Sequence, residues 1–261
     1  YANWRWYPKR KQNDNNPSII GRALRDYVNF GNKSYYLRRL TISEIKKTKS
    51  QDYINAFKRA LEYELNIFYT GKYDTDTVIS SIKENLSLSK NPISSDSPVD
   101  LEISKRNKDM VFVVNDKGAV QSQIYFTVSG EIINDNNRAV SLAYDKYFSG
   151  GMSSIVFQEI REFRSLAYSS WAYYNRPWYN NNNGYFLGYV GCQADKTIEA
   201  ISVFKDISLN MPLKPNRIEQ TRSGLINSIN SKRLHFRKFP KKVSDWIKMG
   251  YLEDPRKDQV N

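Results

Sequence analysis

Few side chains in this sequence are suited to covalent or metal chemistry, and their scarcity already excludes several classes of reaction. Histidine occurs once, at His235 in a lysine- and arginine-rich stretch. Neither a nucleophile–histidine pair nor a multi-histidine zinc site is therefore expected within the chain, and His235 reads as a surface residue. Cysteine also occurs once, at Cys192 inside an apolar run. That excludes an internal disulfide and a cysteine-based metal site, and it makes Cys192 a candidate core residue. Glu159 and Glu162 stand three apart and flank Arg161. On a helix this spacing favours ion pairing with arginine over the paired-carboxylate chemistry of a glycosidase.

The 261 residues are 40% hydrophobic, enough for a sizeable core. Forty Lys and Arg against 27 Asp and Glu give a formal charge of +13. Such a balance favours contact with something acidic without naming it. The densest basic run is Lys232, Arg233, Arg237, Lys238, Lys241 and Lys242, and a smaller cluster lies at Arg5, Lys9, Arg10 and Lys11. Both read as solvated surface, and with no groove-reading motif beside them nucleic acid is not the expected partner. No run approaches the roughly 20 apolar residues of a membrane span. The opening at Tyr1, with no Met and no charged-then-apolar leader, does not read as a signal peptide, and the expectation is a piece cut from a longer protein.

The elements that must position any site are set by periodicity and caps. An opening stretch with Trp4, Trp6 and Tyr7 has no clear period. From Ser18 a helical pattern runs through Ile19, Ala23, Leu24 and Tyr27 to Gly31, and Thr41 with Glu44 forms a capping box for a second helical region through Leu61. Leu65 to Thr70 reads as a buried strand, Val78 to Leu86 as a helix face and Asn91 to Pro98 as a connector. Met110 to Val114 and Gln123 to Val128 read as a strand pair around an Asp-Lys-Gly turn, although a longer crossover is an open alternative. Two helices are expected next, one carrying Val140 to Tyr147 and one carrying Met152, Val156, Ile160 and Phe163. A second strand pair, Leu166 to Tyr174 and Tyr185 to Cys192, encloses an Asn-rich loop at 180–184. Helices over Asp195 to Asn210 and from a cap at Asn216 with Glu219 complete the pattern. The expected class is α+β, with helices layered on a mostly antiparallel sheet. Residues 1–64 form a leading helical segment and 65–261 the α+β domain.

The string Tyr147-Phe-Ser-Gly-Gly-Met-Ser-Ser-Ile-Val-Phe-Gln-Glu-Ile-Arg-Glu162, continuing to Leu166-Ala-Tyr-Ser169, resembles the pitrilysin/insulysin family of zinc metallopeptidases. Looser agreement in element order extends over about Ile54 to Arg233, roughly two thirds of the chain. The family's inverted zinc motif, H-x-x-E-H, is absent. The resemblance therefore implies the non-catalytic C-terminal half, a zinc-free duplicate of the metallopeptidase-type α/β domain. Zinc would belong to an N-terminal half absent from this chain, which on its own would be inactive. A similar string in the second lobe of the catalytic half is the alternative placement.

The resemblance also implies roles for two residues, Arg161 and Tyr168, seven apart across a helix-to-strand turn. The Arg would hold a substrate carbonyl and the Tyr hydroxyl would support the developing oxyanion of a peptide bound mainly by the other half, with Arg164 a weaker candidate for the Arg role. A guanidinium with several fixed donors and a phenol with one suit those tasks. The plainer reading pairs Arg161 with Glu162 or Glu159 and makes Tyr168 a half-buried strand residue. The partners implied are a peptide substrate and the catalytic half or a paired subunit, and a bacterial-type parent would be periplasmic or secreted. A non-enzymatic assembly subunit of the same fold is the competing function, and a basic nucleic-acid-binding domain a more distant one.

Overall fold

The structure is a computed structural model that describes residues 16–86, 89–94, 103–104, 107–116, 118–176 and 183–255. The aromatic opening with Trp4, Trp6 and Tyr7, the basic cluster at Arg5 to Lys11, residues 95–98 of the connector, Lys117 of the expected turn and residues 180–182 of the Asn-rich loop lie outside them.

Helices open the described chain. Helix α1 (Pro17–Phe30) starts with proline in its first turn, where no amide partner is needed, and the Asn16 side chain accepts the Ser18 N–H at 3.0 Å. After the short α2 (Tyr35–Arg38), helix α3 (Ile42–Lys47) carries the expected reciprocal cap. The Thr41 hydroxyl accepts the Glu44 N–H at 3.2 Å while Glu44 accepts the Thr41 N–H at 2.6 Å. The helical region expected to run on to Leu61 is interrupted at Thr48 and Lys49, and α4 (Ser50–Ala60) begins afresh. Helix α5 (Thr75–Asn85) is capped by Asp74, whose carboxylate accepts from Thr77 and is held below its ordinary pKa by that contact.

Three antiparallel strands make the sheet: β1 (Gln121–Ile132), β2 (Ala167–Asn175) and β3 (Asn183–Gln193), in the order β1-β3-β2. The Leu166–Tyr174 and Tyr185–Cys192 expectation is met closely by β2 and β3. Alternation along the strands sends Ile124, Phe126, Ala172, Phe186, Val190 and Cys192 into the core. They pack against α6 (Asp135–Ser149) and α7 (Thr197–Leu209), with Phe126 stacked on Phe204 at 4.3 Å and Phe148 edge-on to Phe204 at 6.4 Å. Gly188 leaves room for that stack, since a Cβ there would fall 2.3 Å from the Phe204 ring. The outer edge of β2 is fastened to α6: Ser149 accepts the Ala172 N–H at 2.7 Å and Asp145 the Tyr174 N–H at 2.6 Å, with Arg176 bonded to Asp145. Desolvation of Asp145 outweighs these contacts and raises its pKa. The Tyr147 hydroxyl, donating to the Pro212 carbonyl at 2.7 Å and accepting from the Lys214 N–H at 3.0 Å, ties α6 to the start of α8 (Pro215–Ser231). Helix α9 (Phe239–Lys248) comes last.

Four expectations need correction. Met110 to Val114 forms no strand, and Val111 and Val113 are 89% and 80% exposed. The hairpin is replaced by pairing of β1 with the distant β3. Leu65 to Thr70 is likewise outside any ladder, with an isolated bridge from Tyr63 to Ile93 beside it. Apolar, β-branched composition shows that a segment fits a pleated surface, but a neighbouring strand must still be available. Helix α8 starts at Pro215 with no side-chain cap, so Asn216, expected to cap it with Glu219, lies inside its first turn. Proline at the first helical position removes one N–H that would lack a partner, and no side chain caps the others. Finally, the helix expected from Met152 to Phe163 is shorter and wider, and Met152 and Phe163 are exposed.

Candidate functional site

The segment between α6 and β2 begins with two glycines that a side chain would obstruct. A Cβ on Gly150 would lie 2.6 Å from the Lys146 backbone, and Gly151 sits at φ 117. Ser154, buried, then caps the next turn by accepting the Phe157 N–H at 3.4 Å while donating to the Gly151 carbonyl at 2.6 Å. Residues Phe157–Glu162 form a π-helical turn whose inner side is anchored by the fully buried Ile160 and by Val156 and Ile155 just before it. One turn of this wide geometry shifts the phase of the residues at its end, which is why Phe163 leaves the apolar face that simple 3.6-residue spacing assigned to it.

The exit from the turn is tightly specified. Ser165 has φ 48, a left-handed conformation usually taken by glycine at a helix C-terminus. Its N–H donates to the Arg161 carbonyl at 3.1 Å, and the Leu166 N–H donates to the Ile160 carbonyl at 2.9 Å. The backbone of Arg161 is thus bonded to the connector that leads into β2.

At the start of β2 the register slips. Ala167 faces Cys192 and Ser169 faces Gly191, so Tyr168 is the additional residue of a bulge. Bulges redirect side chains, and Tyr168 is 55% exposed. Its hydroxyl reaches over Gly191 beside the hydroxyl of Tyr189, whose pKa is raised chiefly by burial and then by the Tyr168 phenol. Tyr189 stacks against Trp171 at 5.2 Å and meets Tyr125 at 5.0 Å, and Trp171 stacks on Tyr173 at 5.5 Å. These rings occupy the sheet face opposite the core. Helix α1 approaches the β1 end of that face, where the Arg25 guanidinium lies 5.6 Å from the Tyr125 ring centre.

Arg161 is the second exposed group of the segment, with its side chain 52% accessible. Its guanidinium carbon lies 5.0 Å from the centre of the Phe157 ring, and its Nε is 3.9 Å from Glu162, a loose and solvated pairing. Arg164 differs, being bonded to both the carboxylate and the main-chain carbonyl of Glu159. Arg161 and Tyr168 are thus placed at the two ends of one short connector and are not bonded to each other. Sequence reasoning did not single out Trp171, Tyr173 or Tyr189. Their signal was the period-two recurrence of aromatics in both strands.

Cys192 and His235 have structural places. Cys192 is 1% exposed and burial raises its thiol pKa. His235 is exposed and its Nδ1 accepts the Arg237 N–H at 3.3 Å, capping a 3-10 turn. Among the described residues no cluster of His, Cys, Asp or Glu could hold a metal ion, so the groups present do not fit zinc.

Residues 45–211 match the model of the family described as the peptidase M16 inactive domain. The match covers more than half of the chain, which therefore belongs to this family. Among solved structures, the chain is similar to a protease from Helicobacter pylori, with TM-score 0.65 at 14% identity, covering 98% of this chain and 63% of that one. It is also similar to a peptidase M16 inactive domain from Pseudomonas fluorescens, with TM-score 0.62 at 12% identity, covering 96% and 59%. A chain of Complex III2 from Candida albicans aligns with TM-score 0.57 at 13% identity, covering 99% and 64%. These likenesses speak to the fold, and the chain spans only about three fifths of the first structures it matches. A search of the curated proteins finds no match. The α+β architecture is that of an M16 inactive domain. No helix among the described residues is long and apolar enough to cross a membrane.

Proposed function

We propose that this chain is the substrate-clamping, zinc-free C-terminal part of a pitrilysin-type metalloendopeptidase, inactive alone, and that Arg161 and Tyr168 act on peptide bound largely by a histidine-bearing half. The observation that carries this reading is the paired exposure of a guanidinium and a phenol at the two ends of the connector between the π turn and β2, each fixed from below by buried neighbours.

The chemistry is that of the donors. The Arg161 guanidinium, stacked near Phe157 and only loosely paired with Glu162, retains N–H groups for a substrate carbonyl. The Tyr168 phenol donates one O–H toward negative charge that develops on the carbonyl oxygen as the peptide bond is attacked. Tyr189 and the turn bonds at Ser165 hold these groups in place before substrate arrives. Arg164, engaged twice by Glu159, is the poorer candidate. In this reading zinc resides in the other half, residues 1–64 lead in from it and 65–261 form the clamping domain.

The test is direct. Purified alone, the chain should carry no stoichiometric zinc by elemental analysis and should not cleave a peptide. Adding the H-x-x-E-H-bearing half should produce hydrolysis, and zinc-dependent cleavage by the isolated chain would contradict the proposal. A second reading, an assembly subunit without proteolysis, takes support from the likeness to a chain of Complex III2. It requires a parent protein with no H-x-x-E-H anywhere, which the complete gene sequence decides.

A further inference from the structure

The C-terminal end of the described chain concentrates charge that the clamping role does not use. Between residues 233 and 254 stand Arg233, Arg237, Lys238, Lys241, Lys242 and Lys248 against three acids: Asp245, which pairs with Lys241 at 3.1 Å, and Glu253 and Asp254 beyond the last helix. Phe236, Phe239 and Ile247 in the same stretch are 57%, 52% and 63% exposed, and Leu252 just beyond is 98% exposed. In α9 one apolar edge is used internally, because Trp246 is buried. Phe239, two turns before Trp246 on the same face, and Ile247 beside it remain open to solvent. The Arg237 guanidinium lies 5.2 Å from the Phe236 ring centre, so cation and apolar group are presented together.

We infer that this basic, apolar-edged surface of the 3-10 turn and α9 docks peripherally on an anionic lipid bilayer. Charge complementarity supplies the attraction, since each Lys or Arg held near an anionic surface strengthens binding by about fivefold. The exposed aliphatic group of α9 decides between anionic partners. Ile247 has little use on a phosphate backbone but gains by entering the headgroup and acyl boundary, as the apolar side chains of interfacial amphipathic helices do. A nucleic acid would be served by the cations and by stacking on phenylalanine, leaving the Ile247 side chain in water. This inference is independent of the peptide-clamping role.

The experiment is co-flotation of the full chain with vesicles of phosphatidylcholine alone and of phosphatidylcholine with phosphatidylglycerol, at low and at physiological salt. The expected result is binding to the anionic vesicles only, weakening as salt rises. Arg237→Glu with Lys238→Glu should lower the affinity by about 25-fold or more. Phe239→Ser with Ile247→Ser should lower it at least about fivefold with the charge unchanged. Lys58→Glu with Arg59→Glu on α4, a control for general charge, should change it less than about twofold, with circular dichroism confirming that every variant is folded. The inference is overturned by absence of flotation with anionic vesicles, by equal loss in the α4 control, by indifference to the Phe239/Ile247 change, or by a single-stranded RNA that binds more tightly and displaces the vesicles.

Discussion

Two stretches of similar length differ sharply in how they use their apolar residues. Between Tyr144 and Ile207, Phe148, Ile155, Val156, Ile160, Val190 and Phe204 are all at most 1% exposed. Between Tyr35 and Val114 the large apolar side chains of the described residues lie mostly at the surface: Tyr35, Phe57 and Val111 are 66%, 65% and 89% exposed. The first stretch closes around a sheet whose strands find each other through the central β3. Among its described residues the second, also rich in apolar side chains, contributes no strand to that sheet and only an isolated bridge from Tyr63 to Ile93. Composition alone therefore does not make a core, and the groups proposed to meet substrate stand on the part that has one.

That contrast can be broken in order of expected effect. Cys192 sits in the closed part with its thiol pKa raised by burial. In the native protein it should react with a thiol reagent on the order of 10³-fold more slowly than in denaturant, because reaction waits for an opening that costs several kcal/mol. Because the folded thiol keeps its proton above the ordinary value of about 8.5 where the unfolded one releases it, stability should fall as pH rises beyond that value. Rapid native labelling would mean that β3 is not closed. Next, Phe204→Ala should cost about 3–5 kcal/mol in denaturant titrations while Phe57→Ala costs less than about 0.5 kcal/mol. Comparable losses at the two positions would erase the distinction. Gly188→Ala should cost about 1–3 kcal/mol, since its methyl group must displace the Phe204 ring. A neutral result would show that the stack beneath the sheet is loose.

Much of the closed part could be read from sequence because its signals are local. The Thr41–Glu44 cap outside it was legible for the same reason: like the period-two apolar residues of β2 and β3 and the glycine turn at 150–151, it depends on neighbours a few residues away. The misreadings depend on distant ones. Whether Met110 to Val114 is a strand is settled by which segment lies beside β1, and that segment is β3, far along the chain at Asn183–Gln193. At the site, Arg161 and Tyr168 were visible as a string, but the π turn and the bulge that expose them were not. Both arise from fitting a wide turn and an extra residue between Ile160 and β3, a constraint of packing with no signature in residue order.

The central claim is that Tyr168 donates to the reacting carbonyl of a peptide held jointly with the catalytic half. Single-turnover hydrolysis by the reconstituted pair, comparing the parent chain with Tyr168→Phe, addresses it most directly. The account predicts a fall of about 10²-fold in the rate of the chemical step with little change in peptide affinity, as loss of one oxyanion donor produces. An unchanged rate, with the variant folded and paired, would remove Tyr168 from the reaction and leave the chain a scaffold.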